Sequence, residues 1–161
     1  MKERFEQIYA EHREAIRAYV RRRAPGAVVD DVVSETFVVC LRKIDEVPRE
    51  PLPWLYAVAR NTLANDRRKR AQAPATHAER HVEPEPAGDA VLAAAFNRLS
   101  ETDREVLRLV AWEGLSLSDA ATVLGCSGAT CRVRYHRAKS RLASRLEAAA
   151  SFTPAPKEVT R

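Results

Sequence analysis

Apolar residues in this chain recur at three- and four-residue spacing, never at every second position over a useful length. Phe5, Ile8, Tyr9, His12, Ile16, Tyr19 and Val20 fall on one helical face within residues 3–23. Arg21, Arg22 and Arg23 suit the end of that helix, and Pro25-Gly26 is read as its stop. A second helix is expected from Asp30 or Asp31 to Ile44, with apolar residues around most of its cylinder and hence burial on more than one side. After a Pro-bearing loop, VPREPLP, a third helix should run from Trp54 to Arg70.

The later part of the chain shows the same period with clearer punctuation. DAVLAAAFNRL reads as a helix. Ser100 with Asp103, and Ser116 with Asp119, place a capping side chain three residues before an acid at two further helix starts. Gly114 and Gly125 mark helix ends, and Ser127 can cap a last helix from Gly128 to at least Glu147. No segment alternates like a strand. The expected fold is all-α: two small helical domains joined by a flexible linker, the second domain containing a helix-turn-helix. The boundaries read as 1–70, a linker at 71–90, 91–150, and a disordered tail at 151–161. The linker assignment rests on three prolines and a glycine in AQAPATHAERHVEPEPAGDA, with Val82 its one β-branched aliphatic residue.

Charge sharpens this division. The 161 residues carry 27 Lys+Arg and 22 Asp+Glu, a formal net charge of +5. Residues 1–70 balance at +4, residues 71–100 at −2 and residues 101–161 at +3. Two basic modules thus flank an acidic connector, which allows a polyanionic partner. There is no apolar run near the ~20 residues of a membrane span. The N-terminus MKERFEQIYAEHRE has no apolar core of a secretory signal. Three cysteines make no disulfide framework. A soluble, cytoplasmic protein without membrane insertion is expected.

Residues 116–142 have the shape of a helix-turn-helix: a short helix, a tight turn at Gly125 and a longer helix. Ala120 and Ala121 allow close approach of the pair. From Ser127 to Arg145 there are six basic residues and no acidic one. A helix of this kind can read base edges near its start and bind phosphates with the rest. Val133, Ala138 and Leu142 are read as facing the module's own core, and Tyr135 fits either side. In the third helix Asn61, Asn65 and Arg68 share a face at i, i+4, i+7, with Arg60, Arg67, Lys69 and Arg70 adding charge. Asn pairs with base edges, and aromatics such as Trp54 and Tyr56 stack on unpaired bases or pack in a core. Cys40, Cys126 and Cys131 read as small core residues. The spacing supports no metal site, Gly-rich phosphate loop or nucleophile–base pair, so neither a cofactor nor an enzymatic activity is expected.

DDVVSETF (Asp30–Phe37) and PWLYAVARNTLANDRRKR (Pro53–Arg70) resemble region 2 of extracytoplasmic-function (ECF) sigma factors of the sigma-70 family. LSETDREVLRLVAWEGLSLSDAATVLGCSGATCRVRYHRAKSRL (Leu99–Leu142) resembles region 4 of that family. The resemblance implies a subunit that binds core RNA polymerase and directs it to promoter DNA, with an anti-sigma factor as a further partner. It implies polymerase docking through Asp31, Glu35 and Phe37. It implies contact with the −10 element through Trp54, Arg60, Asn61, Asn65 and Arg68. Reading of the −35 element would fall to Arg132, Val133 and His136, with Arg134, Arg137 and Lys139 nearer the phosphates. The 45–53 segment is short and lacks the Phe-Arg-Gly-type sequence common in the family. Two competing readings are a stand-alone helix-turn-helix transcription regulator that never binds polymerase, and an adaptor that docks a protein through helix 31–44.

Overall fold

The computed structural model describes residues 2–72 and 90–151. These form seven helices, and no strand occurs among the described residues: α1 (Lys2–Arg21), α2 (Gly26–Arg42), α3 (Leu52–Gln72), α4 (Ala90–Asn97), α5 (Glu101–Ala111), α6 (Leu117–Leu124) and α7 (Gly128–Ser151). The segments expected to be linker and tail lie, but for a few residues, outside the described ones.

The first three helices pack on one another. Ile16, Tyr19 and Val20 of α1, Phe37 and Cys40 of α2, and Leu55, Ala59 and Leu63 of α3 are buried between them. Each apolar stripe thereby leaves water, which is the main term favouring the bundle. Arg4 ties down the loop after α2, its guanidinium donating to the Ile44 carbonyl at 2.7 Å and also to that of Val47. Ile44 and Val47 are themselves buried.

The second group is built around α7, which packs against α4, α5 and α6. Its caps follow the sequence. Ser100 Oγ accepts from the Asp103 N–H at 3.2 Å, and Ser116 Oγ accepts from the Asp119 N–H at 3.0 Å. Gly125 closes α6 with φ 65°, a left-handed conformation that a Cβ would strain. Ala120 is fully buried and Ala121 nearly so, which lets α6 and α7 lie close.

Two helix boundaries differ from those expected. Helix α2 starts at Gly26, before the acidic pair, with Pro25 as its cap and no side-chain cap bond. The early start buries Val28 and Val29 in the bundle. Gly26 therefore opens α2 and does not stop α1, which ends at Arg21. Helix α3 starts at Leu52, two residues early. Pro53 fits there because first-turn N–H groups have no partner within the helix.

The two groups are not separate. Helix α3 packs on α6, and the buried apolar residues of both halves form one continuous cluster. Arg23, expected only as a helix-end cation, turns inward and is 4% exposed. It binds Glu105 through Nε at 2.9 Å and Glu113 through Nη1 at 2.9 Å. Tyr19 Oη donates to Glu105 at 3.1 Å, and Arg22 reaches Glu113 at 2.8 Å. Burial raises the Tyr19 and Tyr56 hydroxyl pKa values, with Glu105 adding to the effect at Tyr19 and Glu113 at Tyr56.

Candidate nucleic-acid interface

Helix α7 starts at a serine cap. Ser127 Oγ accepts from the Thr130 N–H at 3.1 Å, and the two hydroxyls meet at 2.9 Å. Cys126, just before the cap, lies against Cys131, one turn into the helix, in the manner of a hydrophobic staple. Cys131 is fully buried, and burial pushes its thiol pKa up. Burial does the same to Cys40. Together cap and staple fix the angle at which α7 leaves the turn.

The helical period then sorts the side chains. Cys131 and Ala138 point inward and are fully buried, with Tyr135 and Leu142 packed on the same side. Arg132, Val133, His136 and Arg137 are exposed on the opposite side. Val133 is 47% exposed, so its expected place in the core is wrong. Arg134 is half-buried at the margin. Lys139 is exposed, its ammonium 5.5 Å from the Tyr135 ring centre. Arg141 is committed within the module: its Nη1 donates to Asp103 Oδ2 at 2.6 Å, and the Asp103 side chain is 8% exposed.

Helix α3 presents a second polar face. Arg60, Asn61, Asn65 and Arg68 are all exposed, and Arg68 donates to the Asn65 side-chain carbonyl. That bond leaves the Asn65 amide group to donate outward. Trp54 is half-buried against the core at the start of the helix, and at i, i+7, i+14 with Asn61 and Arg68 it lies on the same helical side. Arg67, on the other side, donates to Glu101 at 2.6 Å and to the Arg23 carbonyl at 3.0 Å. Arg70 pairs with Asp66 at 2.9 Å. Only part of the arginine-rich sequence is thus available to a ligand.

On α2, Asp31 and Glu35 are exposed, one turn apart. Phe37 is 3% exposed and sits edge-on to Tyr9 at 4.8 Å and to Phe5 at 6.5 Å. Its role is to seat α2 on α1. The apolar residues that continue the stripe of Asp31 and Glu35 outward are Val38 and Leu41, at 38% and 49% exposure. Sequence reasoning missed them because it read α2 as buried nearly all round. Their i+3 and i+6 spacing from Glu35 was the available signal. Among the described residues no group of His, Cys, Asp and Glu could hold a metal, and no helix is long and apolar enough to cross a membrane.

The comparisons with known proteins coincide with this division. The Sigma-70 region 2 family model matches residues 8–73, and the Sigma-70 region 4 model matches residues 90–142. The ECF RNA polymerase sigma factor EcfG of Rhodopseudomonas palustris is 36% identical over 138 residues, covering 78% of this chain and 76% of that protein. The chain belongs to the ECF RNA polymerase sigma factors. SigF of Caulobacter vibrioides, another ECF sigma factor, is 32% identical over 144 residues, covering 83% of this chain and 80% of that protein. Among solved structures, the sigma factor RpoE of Bartonella quintana, crystallised with the anti-sigma factor NepR, superposes with a TM-score of 0.65 at 25% identity. The match covers 89% of this chain and 96% of that one. Among the described residues the sigma factor is thus all-helical, with regions 2 and 4 as its two modules, and it serves RNA polymerase in promoter-directed initiation. A stand-alone regulator is not favoured, because region 2 accounts for the first half of the chain.

The partition of arginines on α7 has a measurable consequence. Arg141→Ala leaves a largely buried Asp103 without its guanidinium and should lower stability by about 1–3 kcal/mol. Urea unfolding should show a lower midpoint at unchanged slope. An unchanged midpoint would place Arg141 on the ligand side instead.

Proposed function

We propose that this sigma factor docks on core polymerase through α2, captures the −10 element on α3 and reads the −35 element with α7. The modules carrying these tasks are 1–70 and 91–150. The observation that carries the reading is the pair of exposed polar helix faces, Asn61/Asn65/Arg68 and Arg132/His136/Arg137, each on its own module. On α2, Asp31 and Glu35 supply charge and Val38 and Leu41 supply apolar area, while Phe37 acts from beneath as a positioning residue.

Arg132, Val133 and His136 lie within the first turns of α7, where a helix entering the major groove meets base edges. Arg134, Arg137 and Lys139 flank them and serve phosphates. Val133 suits apolar contact with a thymine methyl. On α3, Asn61 and Asn65 take a base that has left the stack, and Arg60 and Arg68 hold the adjoining backbone. Unstacking costs a few kcal/mol per base, offset by the pocketed base and the bound strand. Trp54, half-buried at the start of α3, borders the same face and joins the −10 contact. The chain supplies binding and specificity, and RNA synthesis belongs to the polymerase. It acts in the cytoplasm, where polymerase and promoter are. The co-crystallised relative supports an anti-sigma factor as a further partner.

Reconstitution with core polymerase, followed by mapping of transcription starts, tests the assignment. Purified chain should bind core and give run-off transcripts from defined starts, and a chain that does neither refutes it. At promoters found this way, Arg132→Ala should weaken −35 duplex binding by about 1–3 kcal/mol, the range of a lost base contact. Equal loss on unrelated DNA would make Arg132 a phosphate contact. Asn61→Ala should leave −35 duplex binding intact while lowering permanganate reactivity of thymines at the −10 element. Undiminished reactivity would remove Asn61 from the melting site.

A further inference from the structure

One arginine of α1 is set against the electrostatics of its own helix. Arg4 lies in the first turn, where N–H groups without helical partners carry positive partial charge and a cation is disfavoured. Its guanidinium leaves that end and crosses to the segment between α2 and α3. It donates through Nη1 to the Ile44 carbonyl at 2.7 Å, and through Nη2 to the Val47 carbonyl and to the Pro48 carbonyl at 3.4 Å. These carbonyls follow the C-terminus of α2, the negative end of that helix's dipole. The guanidinium thus opposes the dipole of its own helix and complements that of its neighbour.

Residues 43–51 join α2 to α3. A turn closes their start, the Glu46 N–H donating to the Lys43 carbonyl at 2.8 Å, and the Pro51 carbonyl accepts from the Leu55 N–H of α3 at 2.8 Å. Between these ends Ile44 and Val47 are buried, whereas Pro48, Arg49 and Glu50 are exposed. Pro48 has no N–H to donate, so its carbonyl is the backbone group there that a partner can hold. One planar guanidinium spans all three carbonyls, and the single ammonium of a lysine has no such fork. The exposed stretch 48–50 stands at the N-terminal end of α3, where Trp54 shares a helical side with Asn61 and Arg68. A strand laid along that side toward the start of α3 passes beside it.

We propose that Arg4 is a positioning residue for the −10 contact. Its guanidinium holds residues 44–48 in place in the free chain, so the entropy of ordering them is lost during folding and not when the strand binds. Arg4 acts through the backbone of this segment and touches no DNA. The inference deepens the proposed placing of the −10 surface on α3 and rests on it. The body of α3 is held independently, because Leu55, Ala59 and Leu63 are buried against the other helices. Loss of the Arg4 contact therefore loosens the segment and leaves the bundle, the α2 surface and the −35 helix as they are.

The test compares the full chain with its Arg4→Ala and Arg4→Lys variants. Trypsin cleavage after the exposed Arg49, followed by mass spectrometry, reads the order of the segment in the free chain. It should be at least fivefold faster in Arg4→Ala at unchanged helical circular dichroism. Arg4→Lys keeps the charge but not the fork, and should cleave at least twofold faster. Reconstituted with core polymerase, Arg4→Ala should bind a single-stranded −10 oligonucleotide from a mapped promoter at least fivefold more weakly, read by fluorescence anisotropy. Arg4→Lys should bind it at least twofold more weakly, which separates the fork from the charge. Affinity for core and for an isolated −35 duplex should stay within twofold of the unsubstituted chain. An unchanged cleavage rate in Arg4→Ala, or a loosened segment with full −10 binding, overturns the role. Equal loss on the −35 duplex overturns it too, since the effect would then be general. If Arg4→Ala loses helical circular dichroism, Arg4→Lys carries the comparison, and equality with the unsubstituted chain in both readouts overturns the inference. If the unsubstituted chain binds core but not the −10 oligonucleotide, the placing of the −10 surface fails instead.

Discussion

Two carboxylates held out of water by arginines from another part of the chain govern how this sigma factor is put together. Glu113 has a fully buried side chain, and Glu105 is nearly so. A lone carboxylate in that position would be strongly disfavoured. Arg23, Arg22 and Tyr19 supply the compensating charge and hydrogen bonds from the far end of α1. Other local choices follow from meeting that requirement. Helix α1 ends at Arg21, Arg23 just beyond it turns inward, and Arg67 donates to the Arg23 carbonyl. Removing one partner leaves the others buried and unpaired, so the group acts as a unit.

The same division of labour among arginines runs through α3 and α7. A basic helix offers many guanidinium groups, and the fold spends some of them internally. Arg141 goes to Asp103, Arg70 to Asp66 and Arg67 to the other module. Arg132, Arg137 and Arg68 remain at the surface. Charge density alone cannot make this selection. Helical phase makes it, together with the few acids that tertiary packing brings near.

The legible part of the fold was the part fixed by short-range rules. The caps at Ser100, Ser116 and Ser127, the left-handed Gly125 and the small pair Ala120–Ala121 all depend on residues within a few positions of each other, so the sequence displays them directly. The Asn61/Asn65/Arg68 face was legible for the same reason. The start of α2 was not, because burying Val28 and Val29 outweighed the acidic start signal at Asp30–Asp31. Val133 was assigned to the core by its apolarity, although its phase places it with Arg132 and His136. Phe37 shows the converse: a family pattern marks the position, and the fold buries it against Tyr9 and Phe5. The Arg23–Glu105 contact spans 82 positions, and no local pattern announces it.

The net charge gains meaning from these placements. A formal +5 spread over 161 residues is a weak attraction for DNA. The exposed surplus sits on two helix faces, while one cluster of three arginines and two glutamates is withdrawn into the junction. The withdrawn charges add little to long-range attraction, since opposite signs lie within a few ångströms of each other. They add specificity of assembly, because Arg23 must reach both Glu105 and Glu113 at once. Helix α7 has no acid from Ser127 to Arg145, and Asp103 of α5 takes Arg141, which leaves Arg132 and Arg137 at the surface.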